Sequence, residues 1–324
     1  MKKNSTDRIA VTSRSFSQHP ILRSELEERY AKIKFNDKSI CLKGKELIEY
    51  LWGYNKVISG LEVVNLSVLN ALPDLKVLSK YGVGLDMLDL KAMKDKGVQL
   101  GWEGGVNKRS VSELVVCYAI SMLRHVPAAQ RGVLAGDWRQ LKGRLLTGKT
   151  VGIIGCGHVG KDLVPLLRAF DCRVLVNDVL EFPDFYSVHD VEPANLSSLL
   201  ALSDVVTLHT PLDERTKNIL SAERLSMMKK DAILINLARG NLVDEVALKK
   251  LLKSKILGAA AFDVFATEPP LDYELLELSN FLVSPHIGGS SEEAILAMGR
   301  AAISGLENYG DPLEIVYGGD EKVE

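Results

Sequence analysis

The sequence predicts an α/β protein of two domains, on three observations. Apolar strand-like runs alternate with amphipathic helical stretches along nearly the whole chain. The 324 residues are the length of about two domains. Near the middle, Val151–Gly160 sets a short apolar run against a glycine turn and a helix start, a pattern that opens doubly wound parallel sheets.

In the first part, Arg8–Thr12, Lys32–Phe35, Lys56–Ser59, Leu75–Ser79 and Gly97–Leu100 read as five short strands. Ile21–Ala31, Lys45–Leu51 and Leu88–Lys96 read as helices between them. Gly101–Gly105 is a plausible hinge, because adjacent glycines allow large backbone changes. Ser110-Val-Ser-Glu113 matches a capping box and opens a long apolar helix to about His125. A second series follows, with strands near 150–154, 173–177, 204–208, 232–236, 258–262 and 280–283. Six is the strand count of a Rossmann doubly wound fold. The last helix is expected from Ser290, at another capping box, to about Tyr309, and no appended regulatory domain is expected after it.

Composition narrows the function classes. Hydrophobic residues make up 46% of the chain and charged residues 25%, ordinary for a globular enzyme. A net charge of −2 gives no reason to expect a nucleic-acid or anionic-membrane partner. The opening Met1–Asp7 lacks the apolar core of a signal peptide, and no apolar run approaches the ~18 residues of a membrane span. The cysteines at 41, 117, 156 and 172 show neither C-x-x-C spacing nor disulfide density, so a cytoplasmic location is expected. No His/Cys cluster has metal-ligand spacing, so no metal is expected.

Gly155, Gly157 and Gly160 are spaced G-x-G-x-x-G, with Cys156, His158 and Val159 between them. Such glycines turn tightly, let backbone approach a pyrophosphate, and let helix pack on strand. The following helix, Lys161–Phe170, would offer its N-terminal N–H groups to phosphate. Pro165 falls inside that helix, where proline favours a kink. The next run, Arg173–Asn177, ends at Asp178, 23 residues after Gly155. An acid there suits the ribose hydroxyls of a dinucleotide. Val179-Leu-Glu181 supplies no arginine for a 2′-phosphate, which points to NAD rather than NADP.

Three polar residues follow apolar strands of the second series, where open parallel sheets bind ligands. They are Arg239, Glu268 and His286. Arginine's planar fork suits a carboxylate. Histidine can carry a proton to or from a carbonyl oxygen, and a nearby carboxylate stabilises its imidazolium. With a nicotinamide cofactor, the three make chemical sense as a 2-oxo acid reductase.

Longer motifs run in a fixed order from about residue 75 to 300: Tyr81-Gly-Val-Gly-Leu-Asp86, Ser110–Val116, Thr147–Gly160, Leu208-His-Thr-Pro-Leu212, Ile235–Gly240, Leu242–Glu245, Phe262–Pro269 and Ser284–Gly289. On these the chain resembles the D-isomer-specific 2-hydroxy acid dehydrogenase family, most like its phosphoglycerate dehydrogenase-like members without a C-terminal regulatory domain. The resemblance implies that Arg239 grips the substrate and that His286 is the general acid in reduction, paired to Glu268. Asp263 would hold the nicotinamide carboxamide, and Thr210, Pro211, Ala238 and Gly288 would line the cofactor. Backbone N–H groups near Val83 and Gly84 would meet the substrate carboxylate. The family pattern also implies a substrate-binding part at 1–105, an NAD-binding Rossmann domain at 106–287, and a helix at 288–324 returning to the smaller, flavodoxin-like part. Substrate would react in a closing interdomain cleft.

The substrate is open among 3-phosphoglycerate, glyoxylate or hydroxypyruvate, and another D-2-hydroxy acid. Thr12–Phe16 and the loop Ser59-Gly-Leu-Glu62 look most like phosphoglycerate dehydrogenases and their relatives, and Arg14, Lys80 and Arg109 could face a phosphate. Against that, the loop after Ser59 lacks the arginine pair that some phosphoglycerate enzymes carry. An NAD(H)-sensing, corepressor-like binding protein is the alternative of another class. The resemblance further implies a homodimer, with residues 108–145, including Leu114–Met122 and Trp138, as an exchange arm.

Overall fold

The structure, a computed structural model, describes residues 6–318. Met1–Ser5, the start of the segment read above as lacking a leader's apolar core, lie outside the described residues. The chain forms two compact units, Met1–Asn107 with Glu292–Glu324, and Lys108–Ser291.

The first unit holds a five-stranded sheet: β1 (Ile9–Val11), β2 (Ile33–Lys34), β3 (Lys56–Ser59), β4 (Val77–Lys80) and β5 (Gln99–Gly101). All neighbours are parallel, in the order β2-β1-β3-β4-β5. Their side chains are buried nearly throughout, because helices cover both faces of a parallel sheet. One apolar layer gathers Leu47, Val57, Leu78 and Met93; the other gathers Phe16, Leu22, Ile58 and Ile303. The Glu292–Ser304 helix joins the second layer, and Gly299 lets it close on Leu22, since a Cβ there would sit 2.3 Å from a Leu22 methyl. Gly101, expected in a hinge, is instead the last residue of β5 and packs on Gly305, where a Cβ would meet the Gly305 carbonyl oxygen at 2.1 Å.

The second unit holds seven parallel strands: β6 (Thr150–Ile154), β7 (Arg173–Asn177), β8 (Val191–Pro193), β9 (Val205–Leu208), β10 (Ile233–Asn236), β11 (Ala259–Phe262) and β12 (Phe281–Val283). Their order is β12-β11-β10-β9-β6-β7-β8. The expected count of six omitted β8. This edge strand is three residues long, buries only Val191 and ends at a proline, so it carries no apolar run to read.

Helix ends also moved. The Lys108–Leu123 helix starts before Ser110, so the expected capping box is not its start; Ser110 lies in the first turn, and its hydroxyl donates to the Gly288 carbonyl at 2.7 Å. The helix after the glycine turn is His158–Arg168, three residues earlier than expected at its start, with Pro165 inside it. The last long helix begins at Glu292, not Ser290, and stops at Ser304. A further helix, Pro312–Tyr317, follows, capped by Asp311, whose Oδ1 accepts from Leu313 N and Glu314 N. Short helices at Arg14–Gln18 and Leu66–Asn70 carry too few turns for a readable periodicity.

The 108–145 segment divides in two. Val115, Tyr118, Ala119 and Met122 pack into the core of their own unit. The Val126–Leu134 helix buries nothing: its Val126, Val133 and Leu134 are exposed, as are Trp138 and Leu145 beyond it. Among the described residues no helix is long and apolar enough to cross a membrane.

Candidate active site

The pairing register aligns six strand ends in one row. Asn177 pairs with Ile154, Ile154 with Leu208, Leu208 with Asn236, Asn236 with Phe262, and Phe262 with Val283. Each expected site residue of this unit follows one of those ends by a few positions. The row therefore brings together, at the carboxyl edge of the sheet, residues more than a hundred positions apart. The chain order reverses at β6, between β7 and β9, and that crevice is where open parallel sheets take ligands.

The glycine turn leaves β6 there. Gly155 has φ +98°, and a Cβ on it would lie 2.6 Å from the His209 carbonyl carbon. Gly160 lets helix close on strand: a Cβ would stand 2.2 Å from the Gly155 carbonyl oxygen. Gly157 differs, because a Cβ on it would meet nothing within 4 Å; it faces open space at the N-terminus of the His158–Arg168 helix, which no side chain caps. Burial and the cations of Lys108 and Lys161 push the His158 imidazole below its usual value. An open backbone approach, an uncapped helix start and nearby cations together fit a bound pyrophosphate.

Asp178 follows β7. Its Oδ2 accepts from the Cys156 amide and its Oδ1 from the Leu180 amide at 2.9 Å. The carboxylate thus pins the glycine turn, and still has acceptor positions for hydroxyls, since it offers about four lone-pair sites. Cys156 is fully buried beneath it, and burial pushes its thiol up to about 11. Thr210 and Pro211 lie past β9, where the Thr216 hydroxyl donates to the Pro211 carbonyl at 2.7 Å.

Past β10, the buried Asn236 shapes the turn carrying Ala238 and Arg239. Its Oδ1 accepts from Ala238 N at 3.1 Å and its Nδ2 donates to the Arg239 carbonyl at 2.8 Å. The Arg239 guanidinium donates to the Ala238 carbonyl at 2.7 Å. Gly240 then presses this turn onto the loop after β11, for a Cβ on it would lie 2.0 Å from the Phe265 carbonyl oxygen. That loop carries Glu268, whose Oε1 accepts from Phe265 N at 3.1 Å. Its Oε2 lies 2.9 Å from His286 Nδ1.

His286 stands past β12 with φ +55°, a left-handed conformation uncommon outside glycine. Asp263, buried, holds it. The Asp263 carbonyl accepts from His286 N at 2.9 Å, and its carboxylate accepts from Ile287 N at 2.8 Å and Gly288 N at 2.7 Å. Ser284 Oγ donates to the same carboxylate and accepts from Tyr118 OH. Three donors leave Asp263 about one acceptor position. The residues missed from sequence are Asn236, Ser284 and Tyr118. A polar residue ending an apolar strand marks Asn236; nothing local marks Tyr118, whose partner is 166 positions away.

With Glu268 on Nδ1, the imidazole keeps Nε2 for a proton exchanged with a substrate oxygen. Among the charges expected to face a phosphate, Arg109 pairs with Asp162 at 3.1 Å, and Lys80 is buried with its ammonium on backbone carbonyls. Arg14 is exposed. Among the described residues no group of three or more His, Cys, Asp and Glu could hold a metal ion. Val83 and Gly84 lie in the other unit, past β4.

The family model described as D-isomer specific 2-hydroxyacid dehydrogenase, NAD binding domain, matches residues 116–288. A D-3-phosphoglycerate dehydrogenase of Methanocaldococcus jannaschii is 36% identical over 265 residues, 80% of this chain and 50% of that protein, so the chain spans half of its length. A glycerate dehydrogenase of Methylorubrum extorquens is 35% identical over 285 residues, 84% of this chain and 88% of that one. Among solved structures, the pyruvate reductase of Chlamydomonas reinhardtii superposes with a TM-score of 0.79 at 25% identity, covering 93% of this chain and 95% of the other.

Proposed function

Because the chain belongs to the D-isomer-specific 2-hydroxyacid dehydrogenase family, whose cofactor is NAD, we propose that it interconverts a small 2-oxo acid and its D-2-hydroxy acid. The observation that carries this reading is the 2.9 Å contact of His286 Nδ1 with Glu268, on the strand-end row that also holds the glycine turn. Bound NADH supplies the hydride that reduces C2 of the oxo acid. His286 gives its Nε2 proton to the carbonyl oxygen as that oxygen gains charge, and takes it back in the reverse direction. Glu268 steadies the imidazolium and keeps the ring turned. Arg239 binds the carboxylate and polarises the carbonyl, with the Val83 and Gly84 amides as further donors to the carboxylate. Gly155, Gly157, His158, Val159 and Gly160 cradle the pyrophosphate, Asp178 takes the adenosine ribose, and Thr210, Pro211, Ala238, Asp263 and Gly288 line the nicotinamide side.

The test is NADH absorbance against a panel of 2-oxo acids, with NADH affinity measured beside it. Turnover of at least one acid is expected. Tight NADH binding with no turnover of any acid would favour an NAD(H)-sensing role instead.

A homodimer is the second part of the proposal. Val126, Val133, Leu134, Trp138 and Leu145 form an exposed apolar run that a second copy would cover. Sedimentation of the full chain checks it, and a monomer at micromolar concentration would overturn it.

A further inference from the structure

The sheet of the first unit reverses its chain order between β1 and β3, so the ends of those strands form its own switch point. One side chain sits across it. Glu62 Oε2 accepts from Thr12 Oγ1 at 2.6 Å, just past β1, and from Gly60 N at 2.8 Å and Ser59 Oγ at 3.3 Å at the end of β3. Thr12 and Ser59 are buried, and Gly60 is pressed on Ser13, where a Cβ would stand 3.1 Å from Ser13 Cβ. Three donors from two strand ends make this a built-in carboxylate rather than a loose surface group.

The loop carrying Glu62 is tied to the one carrying Val83 and Gly84. Ser59 pairs with Lys80 in register, and Tyr81 N donates to the Ser59 carbonyl at 2.8 Å. The buried Lys80 ammonium donates to the carbonyls of both Gly60 and Tyr81. Glu62 and Val83 therefore stand equally far, three residues, beyond a paired position of neighbouring strands.

We infer that Glu62 selects the substituent at C3 of the substrate: it refuses an anionic group such as a phosphoester and admits hydrogen or a hydroxyl. This rests on the dehydrogenase reading above, in which the Val83 and Gly84 amides hold the substrate carboxylate. With that end fixed, a three-carbon acid whose far end reached the neighbouring β3 loop would meet the Glu62 carboxylate. A carboxylate accepts from a hydroxyl there and repels a phosphate. The substrate class is thus an unphosphorylated two- or three-carbon 2-oxo acid.

Hydroxypyruvate and 3-phosphohydroxypyruvate differ only in the phosphoester and make the test. NADH consumption is followed with both acids, using the full chain and its Glu62→Gln and Glu62→Asp variants. The native chain should favour hydroxypyruvate by about 100-fold in kcat/KM, the size of a close like-charge contact. Glu62→Gln keeps the shape without the charge and should narrow that ratio at least about tenfold. Glu62→Asp keeps the charge while losing the reach to Thr12, and should preserve the ratio. A parallel fall with both acids in both variants would mean that Glu62 only braces the loop, and would overturn the inference. Equal or better use of the phosphorylated acid by the native chain would overturn it too. NADH binding without consumption of either acid, or of glyoxylate, would instead defeat the dehydrogenase reading and the inference with it.

Discussion

His286 donates its backbone N–H to the Asp263 carbonyl at 2.9 Å, while the Asp263 carboxylate accepts the next two amides, Ile287 and Gly288. One buried residue therefore fixes the backbone on which the histidine stands. It also offsets the left-handed conformation at His286, which costs roughly 1–2 kcal/mol for a residue with a side chain.

Asp263→Asn should expose that dependence. The amide would turn an NH₂ toward donors, leaving at least one buried N–H unpaired at a cost of about 1–3 kcal/mol. A fall in Tm of several degrees is expected, along with a loss of turnover exceeding tenfold as His286 shifts. Native-like melting together with native-like kcat would show that the loop holds itself.

His286→Gln should lower kcat by about 10²–10⁴ while NADH affinity changes little, because only the proton transfer is removed. Stopped-flow turnover beside a fluorescence titration of NADH separates the two. Near-normal kcat would sink the assignment of His286 as the proton donor.

The glycines of the turn predict opposite phenotypes. Gly157→Ala meets nothing within 4 Å, so the fold should tolerate it while NADH affinity falls about tenfold or more, the methyl taking the space of a phosphate. Gly160→Ala drives a methyl to 2.2 Å from the Gly155 carbonyl oxygen and should destabilise the unit itself, read as a lower urea midpoint. An equal loss of stability in both variants would contradict this division.

His209 gives the pH dependence. Its ring Nε2 lies 2.9 Å from Thr207 Oγ1, and burial pushes its pKa down to about 3. The unfolded chain protonates near the ordinary value of about 6.5. Between those two values the unfolded state binds the extra proton, so stability falls as pH falls, by up to about tenfold in the unfolding constant per pH unit. His209→Gln should flatten that slope when urea midpoints are compared at pH 7, 5 and 4. Parallel slopes in both proteins would show that His209 is not the group responsible.

Strong local signals were legible. The strand runs after Lys149 fall within a residue or two of β6, β7, β9, β10, β11 and β12, because fully buried parallel strands read as unbroken apolar runs. Short or edge elements were not. β8 has one buried residue, and the Arg14–Gln18 helix barely exceeds one turn. Ser110 misled for a different reason: Ser-x-x-Glu fits a capping box, but here its hydroxyl serves the Gly288 carbonyl, a partner 178 positions away.

The sequence by itself determined the chemistry available: a glycine turn for a dinucleotide, an acid after the next strand, and an arginine, a glutamate and a histidine after later ones. Those features are local, written in spacing and residue type. Only the tertiary structure decided which of them meet. Parallel register set Ile154, Leu208, Asn236, Phe262 and Val283 in one row, and so put the Glu268 carboxylate 2.9 Å from His286. It likewise closed Thr12, Ser59 and Gly60 around the Glu62 carboxylate. Contacts across separate strands depend on register and packing, which no short window of residues contains.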